Sequence, residues 1–235
     1  MTRNPFAPAD AGRPAPADTG PPAPAPERAR PPIPDGVTGP RVIAIARRLD
    51  PDRLARIADG LLAGGVRALE ITLDSDGALD AIASLAERFA AGGLVVGVGT
   101  VLDPDTARAA VAVGARFVVS PHTDPRIVEA ARDLGVPAFP GALTPTEVVA
   151  AWRAGASAVK VFPVSAVGPA FIRELRGPLG AVPLIPTGGV TLETAPALIS
   201  AGAVAVGVGS WLVGDGDPRG IALRGGSLVE AVAGA

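Results

Sequence analysis

The chain has 235 residues, 48% of them hydrophobic, and a formal net charge of −2. That length suits one domain with a sizeable core, and the near-neutral charge offers no electrostatic footprint for nucleic acid or an anionic membrane. Cysteine and tyrosine are absent and His122 is the one histidine, which excludes disulfides, thiolate nucleophiles, phenolic acids and His-rich or thiolate zinc sites. A Ser-His-Asp triad would have to use His122, which follows Ser120-Pro121 with no nucleophile elbow nearby. Acid-base work therefore falls to carboxylates, lysine or water. No apolar stretch has the length and purity of a membrane span, and the lack of cysteine fits a cytoplasmic protein.

Residues 1 to 38 are dense in proline, alanine and glycine. Such a segment buries too little apolar surface to offset its ordering entropy, and it lacks the apolar region of a secretory signal. It is expected to be a disordered tail on a folded domain spanning residues 39–235.

From Arg41 onward a unit repeats. Val42-Ile-Ala-Ile45 reads as the first strand, and Gly65, Gly93, Gly114, Gly135, Gly155, Gly180 and Gly202 each precede a further strand. Among these strands are Val66–Thr72, Leu94–Gly99, Ala115–Ser120 and Ala203–Val208, rich in β-branched residues. Before most of the glycines runs an amphipathic stretch with helical spacing, such as Leu54, Ile57, Leu61 or Val148, Ala151, Trp152. Glycine suits the left-handed turn that ends a helix. Asp50-Pro51, Asp103-Pro104, Asp124-Pro125 and Thr144-Pro145 mark helix starts, the last inside a capping box completed by Glu147. Eight consecutive βα units predict a closed (β/α)8 TIM barrel, α/β in class. A doubly wound open sheet is the alternative, but its glycine fingerprint after the first strand is missing.

Strand alternation then assigns faces. Leu69, Ile71 and Leu73 form one apolar face against the helices, which turns Glu70 and Thr72 into the barrel. Val159 and Val161 do the same on the sixth strand and turn Lys160 inward. Lys160 is the one lysine beside 20 arginines. Arginine cannot act as a neutral amine, whereas a poorly solvated lysine can. An inward Lys160–Glu70 pair is either a structural ion pair, a poor source of stability, or an imine-forming nucleophile with its proton shuttle, which needs no metal. At the ends of the seventh and eighth strands, Pro186-Thr-Gly-Gly-Val190 and Gly207-Val-Gly-Ser210 stand where many barrels bind phosphate; singly, each reads equally as a tight turn.

Seven stretches, in order around the predicted barrel, carry a resemblance: Leu69-Glu-Ile-Thr72, Gly97-Val-Gly-Thr-Val101, Val119-Ser-Pro-His122, Phe139-Pro-Gly141, Val159-Lys-Val-Phe-Pro163, Pro186-Thr-Gly-Gly189 and Val208-Gly-Ser-Trp211. Residues from about 40 to 213 resemble the 2-keto-3-deoxy-6-phosphogluconate (KDPG) and 4-hydroxy-2-oxoglutarate aldolase family of class I pyruvate aldolases. The resemblance implies a cofactor-free lyase, usually a homotrimer, with a small-molecule substrate as its other partner. It implies Lys160 as the Schiff-base lysine and Glu70 as general acid/base. It also implies Thr72, Thr100, Pro121, Phe162 and Thr187 around the substrate, and Gly188, Gly189, Gly209 and Ser210 at its phosphate. The expected reaction is cleavage of KDPG to pyruvate and D-glyceraldehyde 3-phosphate, with 4-hydroxy-2-oxoglutarate as a further substrate.

The chain departs from the family at Asp74, where some members carry a carboxylate-binding arginine and where an acidic group is expected to repel substrate. Phosphogalactonate-type relatives place arginine at the end of the first strand instead, which matches Arg47 and brings that epimer in as an alternative substrate. His122 is either a substrate contact or a hydrogen-bonded structural residue. Two rivals stand beside the aldolase: a phosphate-binding barrel with Lys160 as an electrostatic clamp, and a non-catalytic effector-binding or scaffold module.

Overall fold

A computed structural model describes residues 29–48 and 51–235. Eight parallel strands run in chain order: β1 (Val42–Ala46), β2 (Ala68–Thr72), β3 (Val95–Gly99), β4 (Val118–Val119), β5 (in two pieces, Ala138–Phe139 and Gly141–Ala142), β6 (Val159–Val161), β7 (Leu184–Pro186) and β8 (Val206–Val208). Each pairs with the next, β5 changing partner across Pro140. β8 returns to pair with β1, and a bridge between Thr187 and Gly207 joins β7 to β8. The sheet is therefore a closed ring, as the count of βα units predicts.

Helices between the strands form the outer layer. The predicted caps are in place: Asp103 accepts from the backbone N–H of Asp105 and Thr106, Asp124 from that of Arg126, and Thr144 with Glu147 closes a capping box. Asp50 lies outside the described residues. All the repeat glycines except Gly180 adopt positive φ. The C-terminal helix, Pro218–Ala233, packs on the first barrel helix, Pro51–Ala63. A Cβ on Gly60 would stand 2.6 Å from the Pro218 carbonyl oxygen, and one on Gly64 equally close to that of Ala222. These two glycines let the helices approach to near backbone contact and close the outer ring.

Two apolar layers follow from the alternation. Leu69, Ile71, Val159 and Val161 pack outward against the helices, while Ile43, Phe117, Val119, Phe139 and Ile185 fill the barrel's lower interior. Phe117 and Phe139 stack with centroids 5.6 Å apart. Gly97 makes room for them, because a Cβ there would run into the Phe117 ring.

The barrel floor corrects the expected domain boundary. Residues 1–28 of the predicted tail lie outside the described residues, but residues 29–38 are ordered against the barrel. A short helix, Asp35–Thr38, inserts Val37, fully buried, with Ile33 beside it, into the interior cluster. The Arg30 guanidinium lies 3.6 Å above the Trp152 ring and donates to the carbonyls of Trp152 and Ala156. Proline density masked these anchors: two apolar side chains and one stacked arginine suffice to order a short segment over an open barrel end.

Truncating Phe117 to alanine removes one of the two phenylalanines of this interior layer and leaves space its β-strand neighbours cannot close. The expected loss is about 3 to 5 kcal/mol in urea unfolding, with activity retained below the denaturation midpoint because the site lies one layer above.

Candidate active site

At the C-terminal end of the barrel, register sets the reactive pair. Gly141 on β5 and Ile185 on β7 flank Lys160, and Ile45 on β1 and Gly97 on β3 flank Glu70. Both side chains point inward, as alternation requires, and are buried, at 4% exposure for Lys160 and 2% for Glu70. Lys160 Nζ stands 3.9 Å from Glu70 Oε1, long for a hydrogen bond. Glu70 Oε1 accepts no hydrogen bond at all. A buried carboxylate oxygen without a donor is costly unless something else occupies that position during function. Gly99 makes the placement of Glu70 possible, since a Cβ there would overlap its carboxylate.

A cavity of about 500 Å³ opens over the pair. Of the predicted residues, Arg47, Lys160, Phe162 and Thr187 line it, and so do Gly188, Gly189, Gly209 and Ser210. The Phe162 ring centroid lies 5.2 Å from Lys160 Nζ. The Thr187 hydroxyl is held by the Ile185 carbonyl at 3.3 Å. Gly188 and Gly189 both have positive φ, so the loop after β7 takes a path that no side chain would tolerate easily. Gly209 leads into the short helix Ser210–Val213 after β8.

Glu70, Thr72, Thr100 and Pro121 are not among the cavity's walls. Glu70 reaches it through Lys160. The buried Thr72 hydroxyl donates to the Ala46 carbonyl at 3.2 Å, tying β2 to β1. Thr100, at φ 57°, accepts from Arg47 Nη2 at 3.2 Å. The Pro121 carbonyl crowds the Cα of Gly141, where any side chain would collide with it. His122 is exposed and its Nδ1 meets Ser120 Oγ at 3.1 Å, the structural arrangement of its two alternatives.

The structure corrects the expectation for Asp74. Rather than facing the site as a bare negative charge, its Oδ2 accepts from Arg47 Nη1 at 2.9 Å and from Arg48 Nε at 3.3 Å. Burial pushes the Asp74 carboxyl up, but the Thr72 side chain and the two guanidinium groups outweigh it and hold it below the ordinary carboxylate range. Arg48, Thr191 and Trp211 also line the cavity and were missed from sequence. The doubled arginine at a strand's C-terminal end was the signal for Arg48; Thr191 sits in a loop and Trp211 in the one-turn helix Ser210–Val213, whose paths no periodicity reports. Among the described residues, no group of three or more His, Asp or Glu side chains is placed to hold a metal ion, and no helix is long and apolar enough to cross a membrane.

Comparisons with known proteins converge on one family. The family model described as KDPG and KHG aldolase matches residues 33–218. The 2-dehydro-3-deoxy-phosphogluconate aldolase of Treponema pallidum is 38% identical over 173 residues, 73% of this chain and 80% of that protein. The 2-dehydro-3-deoxy-6-phosphogalactonate aldolase of Escherichia coli is 34% identical over 72% of this chain and 82% of its own. A crystal structure of KDPG aldolase from Legionella pneumophila, with pyruvate captured as a covalent carbinolamine intermediate, superimposes with a TM-score of 0.70 at 26% identity, covering 86% of this chain and 98% of that one.

Because the Asp74 pKa is depressed in the folded state, its ion pairs contribute stability that is complete above the unfolded carboxylate value of about 4 and is lost as pH falls through the folded value. Asp74→Asn should therefore flatten the acid limb of the stability–pH profile below about pH 4, measured by urea unfolding, and lower stability at neutral pH.

Proposed function

Since the chain belongs to the KDPG and KHG aldolase family, we propose that Lys160 is the imine-forming nucleophile and Glu70 the proton shuttle of its class I aldolase reaction. That reaction cleaves 2-dehydro-3-deoxy-6-phosphogluconate to pyruvate and D-glyceraldehyde 3-phosphate. The observation that carries the residue assignment is the buried Lys160–Glu70 pair, 3.9 Å apart, with Lys160 on the cavity wall.

The steps follow from these positions. The Lys160 amine adds to the C2 carbonyl of the substrate, and the carbinolamine loses water to give a protonated imine. Glu70 takes the proton of the C4 hydroxyl, the C3–C4 bond breaks, and its electron pair moves into the imine as an enamine. The aldehyde product leaves. Glu70 returns a proton to C3 of the enamine, and water hydrolyses the regenerated imine to free pyruvate and the Lys160 amine. The unpartnered Glu70 Oε1 supports this role, since it is the acceptor that a substrate hydroxyl or a relaying water would satisfy.

Around the pair, the cavity supports a division of the substrate between two anion sites. Arg47 is assigned to the pyruvyl carboxylate, with free guanidinium N–H groups beyond those it gives Asp74 and Thr100. Backbone N–H groups of Gly188, Gly189, Gly209 and Ser210 are assigned to the phosphate. Phe162 and Thr187 bound the reacting carbons. A 4-hydroxy-2-oxoglutarate substrate would use the same lysine and leave its second carboxylate at the phosphate end. A second reading, the phosphogalactonate epimer, is favoured by Arg47 at the end of β1 and by the E. coli relative. The homotrimeric state implied by the family resemblance, and the cytoplasmic location that the lack of cysteine fits, are likewise proposed; equilibrium sedimentation tests the trimer.

Borohydride with pyruvate should attach one irreversible label, on the peptide containing Lys160; active enzyme that takes no label would exclude imine catalysis. Glu70→Gln should lower kcat by about 10²- to 10⁴-fold while still trapping pyruvate. Arg47→Ala should raise KM by about tenfold or more, as loss of a charge-assisted contact predicts. Parallel cleavage assays with both phosphorylated epimers decide the C4 configuration.

A further inference from the structure

The aldolase steps leave two charged groups beside Arg47, Asp74 and Arg48, without a task. Asp74 occupies a position where some members of the family have a substrate-binding arginine, yet its own side chain is 24% exposed and does not line the cavity. A single oxygen, Oδ2, takes both Arg47 Nη1 and Arg48 Nε. The next residue completes the bracket: Ser75 Oγ accepts the Arg48 backbone N–H at 2.8 Å. Arg48 is there held at φ 52°, and Thr100, the other partner of Arg47, at φ 57°. Left-handed backbone at non-glycine residues persists where surrounding contacts over-determine it.

The chemistry of this bracket is directional. Arginine has five N–H donors on a rigid plane, and fixing one hydrogen on each terminal nitrogen of Arg47 fixes the plane while leaving donors for a further anion. Arg47 and Arg48 are adjacent, both line the cavity, and would repel one another without a carboxylate between them. With Asp74 the three side chains sum to a single positive charge, enough to attract an anionic substrate while holding Arg47 in one orientation. Preorganisation of this kind improves binding by removing the ordering cost from the association step.

We infer that Asp74 is a positioning residue that sets substrate affinity by orienting Arg47 toward the substrate carboxylate. The inference rests on the assignment of Arg47 to that carboxylate. It reverses the meaning of the departure from the family pattern: the arginine has moved to β1, and the acidic side chain at its former place now aims it.

The test is a double-mutant cycle on the full-length enzyme, with steady-state cleavage of the phosphorylated sugar acid. Asp74→Asn should raise KM about fivefold, the scale of a half-exposed ion pair, with kcat changed by less than about twofold. Asp74→Glu, which keeps the charge, should recover part of the loss. In an Arg47→Ala background, Asp74→Asn should raise KM no further. Unchanged KM in Asp74→Asn overturns the positioning role while leaving the Arg47 assignment standing. A lower KM overturns it too, since Asp74 would then compete with the substrate for Arg47. A rise of equal size with and without Arg47 marks a structural effect and overturns it as well. Wild-type KM in Arg47→Ala alone overturns the carboxylate assignment, and the positioning role falls with it.

Discussion

Two opposite charges inside a closed barrel are the constraint around which this structure is arranged. Removing a carboxylate and an ammonium group from water costs several kcal/mol per ion, and a pair held 3.9 Å apart recovers that cost poorly. The fold tolerates the loss because a cluster of apolar side chains fills the layer beneath. Ile43, Phe117, Val119, Phe139 and Ile185, closed below by Val37 and Ile33, supply the burial that stabilises the barrel without help from the charged layer. Separation of the two layers along the barrel axis lets the upper one be under-satisfied. Glu70 Oε1 is left without a hydrogen bond, whereas Ser157 at the barrel floor donates its hydroxyl to the Pro31 carbonyl.

Much of this was legible because period-2 alternation is a strong constraint on buried strands. Leu69 and Ile71 outward force Glu70 inward, and Val159 and Val161 outward force Lys160 inward; a one-residue slip of either strand would place its charge among the helices. Caps were equally readable, since Asp103, Asp124 and Thr144 act within three residues of themselves. Contacts that depend on distant parts of the chain were not. The tail boundary was drawn too late because nothing local in residues 29–38 announces that Val37 will meet the barrel floor or that Arg30 will lie on Trp152, 122 residues away. Asp74 was read as a repulsive charge because its partner, Arg47, lies 27 residues upstream, and only the closure of β1 against β2 brings the two together. The hydroxyls of Thr72 and Thr100, both expected near the substrate, engage Ala46 and Arg47 in this structure; a threonine's position on the inward face does not say which neighbour its hydroxyl selects.

The glycines explain how so small a barrel accommodates a cavity at all. An eight-stranded barrel has an interior just wide enough for side chains to fill it. On β3, Gly97 cedes its volume to Phe117 and Gly99 cedes its own to Glu70; on β8, Gly207 cedes its volume to Thr187; on β5, Gly141 admits the Pro121 carbonyl. Each removes a Cβ from the inward or rim surface next to a side chain that the lower core or the site needs. Space is thus redistributed from strands β3, β5 and β8 to Phe117, Glu70, the Pro121 carbonyl and Thr187, and the 500 Å³ above Lys160 remains open. Because alanine at Gly99 would collide with the carboxylate itself, the chemistry of β2 is inseparable from the absence of a side chain on β3. The Gly-Val-Gly run that alone would read as a weak strand is what allows Glu70 to stand beside Lys160.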